Sequence, residues 1–161
     1  MPPAVVIVLP VFRPDKGHFA QQINSIARQT LADTLTVLVI ADTESADLAH
    51  DLASAAGLSH VIETPPNPLD APRAVEAGLF AARALAGPDT LFALCDQDDM
   101  WHPDRLARGQ AALAASGAAL AHGDARLVDA EGALLHPSMF RYEGRQRRPG
   151  DARHSRSQGG D

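Results

Sequence analysis

Three carboxylates, Asp96, Asp98 and Asp99, crowd into four positions of the stretch LFALCDQDDMWHPDRL, directly behind a run of apolar residues. In extended backbone, side chains two residues apart point the same way, so Asp96 and Asp98 can face one ligand while Gln97 turns elsewhere. Two hard oxygen donors on one side suit Mg²⁺ or Mn²⁺. Such an ion typically takes one or two protein carboxylates and completes its shell with water and substrate phosphates, so a diphosphate is the fitting ligand. The same acids could instead form a solvated loop that caps the helix behind Pro103. Their place at the end of an apolar run favours the ligand-facing reading. Other polar residues stand at similar ends: Asp42 follows LTVLVIA, and the turn at Pro10 to Arg13 follows AVVIVL. His122 and Asp124, two residues apart, could border a second substrate or simply shape a turn.

The elements that must carry these residues alternate along the chain. The β-branched run 4–12 and the apolar run 35–42 read as strands buried on both faces. Between them, Phe19, Ile23 and Ile26 recur at one helical face within 15–30. A helix over 45–56, a strand over 60–63 and the Pro-rich loop TPPNPLDAP follow. A helix over 73–86 is expected to turn Val75, Leu79 and Ala82 inward. A fourth strand spans 90–95, a helix with Pro103 in its first turn runs to about 115, and AALAH (118–122) reads as a fifth strand. Strict β-α alternation implies an α/β fold with a mainly parallel sheet and helices on both faces. In such sheets ligands bind beyond the carboxyl ends of the strands, which gathers the Pro10 turn, Asp42, Asp96 and Asp98 at one crevice.

Composition narrows the chemistry. With 161 residues, 45% of them hydrophobic, and a formal net charge of −6, the chain is a single acidic domain with a sizeable core and not a general nucleic-acid binder. The lone Cys95 lies in an apolar run, where a thiol most often packs as a small core residue, and points to a reducing compartment. Neither a signal peptide nor a membrane anchor is read in MPPAVVIVLPVF. The one lysine, Lys16, follows no Gly-rich loop, no G-x-S-x-G elbow occurs, and the seven histidines lack paired cysteines. A P-loop, a hydrolase triad and a zinc site are therefore not expected. Residues 141–161 hold six Arg against three acids with almost nothing apolar after Tyr142, so 143–161 is expected to be a disordered Arg-rich tail behind a domain over 1–142.

At LCDQDDMWHPDRL the sequence resembles family 2 glycosyltransferases of the GT-A fold, in particular their rhamnosyltransferase-like members. VVIVLPVFRP resembles the first strand of that family and TLTVLVIADTESAD the second. AHGDARLVDAEGALLHPSMFRY, with its H-x-D-x-R-x-V-D pattern, resembles the hairpin-like stretch behind the metal site. The resemblance covers about 5–142. It departs at Val11, Phe12 and Arg13, where Thr-Tyr-Asn is usual, at Ala41 in place of a second acid, and at a missing Gly before Arg73.

The resemblance implies a GT-A (Rossmann-like) fold and an inverting enzyme of the hexosyltransferase type. It would move a sugar from a dTDP- or UDP-linked donor to a glycan or lipid-linked acceptor hydroxyl in bacterial polysaccharide or cell-surface glycan synthesis. By the same carry-over, Pro10, Asp42, Arg73 and Asp96 contact the nucleotide-sugar, and Asp98 with Asp96 holds Mg²⁺ or Mn²⁺. The general base of the family follows later in the chain than this sequence reaches. The expectation is thus a donor-binding half, truncated on its C-terminal side and slow in turnover, with Asp124 as a substitute base. The implied location is the cytoplasm, at the inner membrane face, with no membrane association encoded in this chain. A non-catalytic nucleotide-sugar-binding module is the alternative. A nucleotidyltransferase is a more distant one, since PVFRPDKG is not the Gly-rich basic loop it would need after the first strand.

Overall fold

A computed structural model describes residues 4–144, which fall into two compact units with the division after Ala107. The Arg-rich segment expected to lack a core lies, from residue 145 on, outside the described residues.

The first unit runs β1 (Val5–Val11), α1 (Lys16–Ala27), β2 (Leu35–Ala41), α2 (Thr43–Ala55), β3 (His60–Glu63), α3 (Ala71–Ala82) and β4 (Leu91–Leu94), then enters α4 (Arg105–Ser116). All strand pairs are parallel, in the order β3-β2-β1-β4. Continuous apolar runs make β1 and β2 the centre of the sheet, because each of their faces needs a cover. Val5, Ile7, Leu9 and Val11 of β1 and Val37, Val39 and Ala41 of β2 pack with Phe19, Ile23 and Ile26 of α1 and Ala49 and Ala53 of α2. On the opposite face Val6, Val8, Leu38 and Ile40 meet Ala74 and Ala82 of α3. The expected layering, helices on both faces of a parallel sheet, is what forms.

Helix starts follow from capping chemistry. Asp15, Asp42 and Asp70 each accept a hydrogen bond from the backbone N–H three residues on, at 2.9, 2.9 and 3.0 Å, satisfying donors that a helix leaves unpaired. Asp70, with Pro72 in the first turn, starts α3 two residues before the expected 73, and a 3₁₀ turn at Arg83–Leu85 ends it early. The inward face of α3 is also different. Ala74, Gly78 and Ala82 are buried, while Leu79 is 36% exposed. The helix lies so close to the sheet that a Cβ on Gly78 would collide with Val8 and stand 3.1 Å from Ile40. Close approach selects small side chains over large apolar ones.

The fifth strand expected at 118–122 does not form; those residues are exposed and irregular, and the parallel sheet has four strands. Alanine has low strand propensity and offers little to bury, so an Ala-rich run fits a strand poorly. The second unit instead carries, beyond α4, an antiparallel pair, β5 (Leu127–Val128) and β6 (Leu134–His136), and the short α5 (Met139–Tyr142). Asp129 folds the turn between the two strands by accepting from the N–H groups of Glu131 and Ala133 at 3.1 and 2.7 Å. Gly132, at φ 87°, completes it. Among the described residues no helix is long and apolar enough to cross a membrane.

Candidate functional site

In the order β3-β2-β1-β4, the chain leaves β1 toward one side of the sheet and returns to its other side as β4, so the connections diverge between these two strands. A crevice is expected beyond the strand ends at such a point. A cavity of about 520 Å³ is found there. Pro10 near the end of β1, Phe12 after it, Asp42 after β2, and Asp96, Gln97 and Asp98 after β4 line one side. The Pro-rich loop, from Pro65 to Asp70, and the first turn of α3 form the other wall.

Asp42 is both a crevice residue and the cap of α2. Ser45 donates to it from its N–H and its hydroxyl, each at 2.9 Å, and the Arg13 N–H approaches at 3.4 Å. Desolvation alone would raise its pKa, but the bonds from Ser45 and then Arg13 outweigh it and hold the carboxyl below the ordinary carboxylate value. Asp42 is therefore a fixed anion. Its neighbour in space, Arg13, has φ 42°, a left-handed conformation unusual for a residue with a Cβ. The Arg13 N–H donates to Ser45 Oγ at 3.1 Å, tying this strained residue to the α2 cap.

Asp96 and Asp98 are exposed on the crevice, but Gln97 and Asp98 form a turn and not extended backbone, so Gln97 lines the same cavity where alternation was expected to turn it elsewhere. Gln97 is occupied by the β1 loop: the Phe12 N–H donates to Gln97 Oε1 at 2.8 Å, and Gln97 Nε2 donates to the Phe12 carbonyl at 3.2 Å. Asp99 does not line the cavity. Although the residue is accessible overall, desolvation of its carboxyl and then the charges of Asp96 and Asp98 push its pKa up. Crowded carboxylates that oppose one another's ionisation are the electrostatic setting that a divalent cation relieves. Among the described residues no three His, Cys, Asp or Glu side chains are arranged to enclose a metal. Asp96 and Asp98 are two carboxylate donors on the crevice, and a cation held by them would draw its other ligands from water and phosphate.

A buried polar network on α1 and the residues just after it supports the acidic loop. Ser25 Oγ accepts from the Trp101 N–H at 3.0 Å and donates to Gln22, whose amide in turn reaches Cys95 Sγ. Gln29 donates to the His102 carbonyl at 2.8 Å and accepts from the Leu106 N–H at 3.2 Å. Trp101 is a core residue, 5% exposed, with the Arg105 guanidinium 4.4 Å from its ring centre. Burial pushes the Cys95 thiol up to about 12, so it packs as expected and offers no nucleophile.

Two further sequence candidates have surroundings of their own. Arg73 does not line the crevice; its side chain borders an adjoining depression with Leu69, Glu76 and Phe80, because it sits on the outward face of α3. Asp124 belongs to the second unit, where it accepts from Ser138 Oγ at 2.6 Å, the Ala125 N–H at 2.9 Å and the Phe140 N–H at 3.1 Å. Desolvation would raise its pKa, yet these bonds outweigh it and lower it. The clamp made by Gln97, the Ser45 partner of Asp42 and the proline wall were not read from the sequence.

Comparison with known proteins bears on the family and the fold. The model of the family described as Glycosyl transferase family 2 matches residues 6–160. No curated protein matches the sequence. Among solved structures, the chain resembles Staphylococcus aureus TarS 1-349 in complex with UDP, at 17% identity and a TM-score of 0.55 over 71% of this chain and 33% of that one. It also resembles a second structure of S. aureus TarS 1-349, at 16% identity and a TM-score of 0.54 with the same coverage. The chain thus spans about a third of the length of that fragment.

Proposed function

Because this chain belongs to glycosyltransferase family 2, we propose that its crevice binds the nucleoside diphosphate part of a sugar donor and serves transfer of that sugar to an acceptor hydroxyl. The observation that carries the proposal is the convergence of Asp42, Asp96 and Asp98 on one cavity at the carboxyl ends of β1, β2 and β4. The UDP bound by the TarS fragment, which shares the fold, supports a nucleoside diphosphate as the ligand.

Each residue has a task that its surroundings permit. A carboxylate offers about four acceptor positions, so Asp42, with three donors already aimed at it, keeps room for a donor group of the base or ribose. Pro10 has no N–H and forms part of the wall beside it. Asp96 and Asp98 would hold Mg²⁺ or Mn²⁺. Once bound, such an ion neutralises charge that develops on the departing diphosphate. Arg73, on the first turn of α3 at the adjoining depression, would add a positive charge near the nucleotide. Asp124 is a weak base, with three donors on its oxygens and a lowered pKa. Donors linked to UDP or dTDP, a rhamnosyl or other hexosyl group, a glycan or lipid-linked acceptor and inversion at the sugar carbon complete the reading. A nucleotide-sugar-binding module without turnover differs from it in one measurable respect, acceptor-dependent release of the nucleotide.

The test is calorimetric titration of UDP and of dTDP, each with Mn²⁺, into the protein and into Asp98→Asn. Substitution should weaken binding at least about tenfold, because a diphosphate chelate loses one of its two protein carboxylates. Melting temperature should stay level or rise, since one of three mutually repelling charges is gone. Equal affinity in both proteins would remove Asp98 from the site and the diphosphate with it.

A further inference from the structure

Gln97 stands between the two acids of the crevice, yet its side chain serves another loop. The ladder between β1 and β4 ends where the Cys95 N–H donates to the Val8 carbonyl at 3.1 Å. Beyond that point the segments carrying Phe12 and Asp98 would be expected to diverge with the twist of the sheet. One side-chain amide prevents this by accepting from the N–H and donating to the carbonyl of the same residue, Phe12. It acts as an additional strand residue would. Only one orientation of the amide allows both bonds, so the pair is directional. On its other side the loop is held by Ser45 and Asp42 through the Arg13 N–H, with Arg13 kept at φ 42°. A residue in that conformation persists where its surroundings over-determine it. The loop between Asp42 and the acidic pair is thus fastened at both edges.

We infer that Gln97 is a positioning residue: it locks the β1 loop to the acidic loop, and so fixes the distance between the part of the crevice facing a nucleoside and the part facing its diphosphate. The inference rests on the nucleotide reading of the crevice. Its chemistry predicts a split between ligands. Inorganic pyrophosphate needs only the end at Asp96 and Asp98, whereas UDP must satisfy both ends at once, and a wandering β1 loop weakens only the second.

The experiment compares the protein with Gln97→Met, which keeps side-chain length without either bond, and Gln97→Glu, which keeps the acceptor for the Phe12 N–H and loses the donor. UDP and pyrophosphate are titrated separately with Mn²⁺ present, and amide hydrogen exchange is followed at Phe12 and Arg13. Gln97→Met should weaken UDP about tenfold, the order set by two neutral hydrogen bonds, and change pyrophosphate affinity less than about twofold. Gln97→Glu, which adds a fourth carboxylate beside Asp96 and Asp98, is read by exchange at Phe12, which should fall between Gln97→Met and the parent. Exchange at Phe12 should quicken in Gln97→Met, with the remaining amides of β1 unchanged. Parallel losses for both ligands, or no loss for UDP, would overturn the inference. If the parent protein binds pyrophosphate but not UDP, the nucleotide reading falls, while exchange at Phe12 still decides whether the clamp holds the loop. Should Gln97→Met fail to fold, Gln97→Leu, which also lacks both bonds and adds no charge, supplies both readouts.

Discussion

Asp42 shows how one side chain can be structural and available at once. Asn caps a helix about as well as Asp, so Asp42→Asn should shift the melting temperature at neutral pH by only a few degrees. The difference between the two proteins should depend on pH in a defined sense. The folded-state pKa of Asp42 is depressed, so its contribution to stability is present above the ordinary carboxylate pKa and is lost as the pH falls through that value toward the lower folded one. Thermal melts from pH 7 down to about pH 2.5 should therefore show a gap that narrows below about pH 4. A gap that stays constant would place its origin in packing and not in ionisation. The places of the acids were legible in the sequence, because the apolar runs of β2 and β4 stop at carboxylates. Their partners were not. Phe12 and Gln97 are 85 positions apart and meet only because β1 and β4 are neighbours in the sheet, a fact that no local pattern encodes.

Among the elements, α3 has the tightest contact with the sheet. Replacing Gly78 by Ala would improve helix propensity by up to about 1 kcal/mol, yet the new methyl group would meet Val8 and Ile40, both buried. Overpacking of this kind costs about 1–3 kcal/mol, so Gly78→Ala should lose roughly 1 kcal/mol net in urea unfolding, with an unchanged slope on denaturant. A stabilised variant would mean that α3 can lift from the sheet. The same contact explains a misreading. Val75 and Leu79 fit an apolar stripe by spacing, but a helix pressed this close presents its small residues, and propensity patterns do not report interhelix or helix-to-sheet distance. Strand ends were legible to within about one residue at β1, β2, β3 and β4, since each apolar run stops at a polar or proline-containing turn. The alanines of 118–122 carried no such information, being equally compatible with helix, strand and exposed loop.

For the molecule as a whole, the order of the strands determines where the chemistry can take place, and that order was legible only as a class. Alternating strands and helices predict parallel pairing and a crevice, but the position of β4 beside β1 required the fold itself. One wall of that crevice has a further consequence. Pro65, Pro66 and Pro68 follow one another with a single residue interposed, and each ring fixes its own φ near −65° before any ligand arrives. That wall has little conformational entropy left to lose on complex formation, and the opposing lip is tied down by hydrogen bonds on both of its edges. Association should then be a single step. In stopped-flow mixing of UDP and Mn²⁺ with the protein, the observed rate should rise in proportion to ligand concentration without a plateau, because no slow closure follows encounter. A rate that saturates at high ligand would instead reveal a gate, and would move the determinant of nucleotide residence time from the strength of the contacts to the opening of a loop.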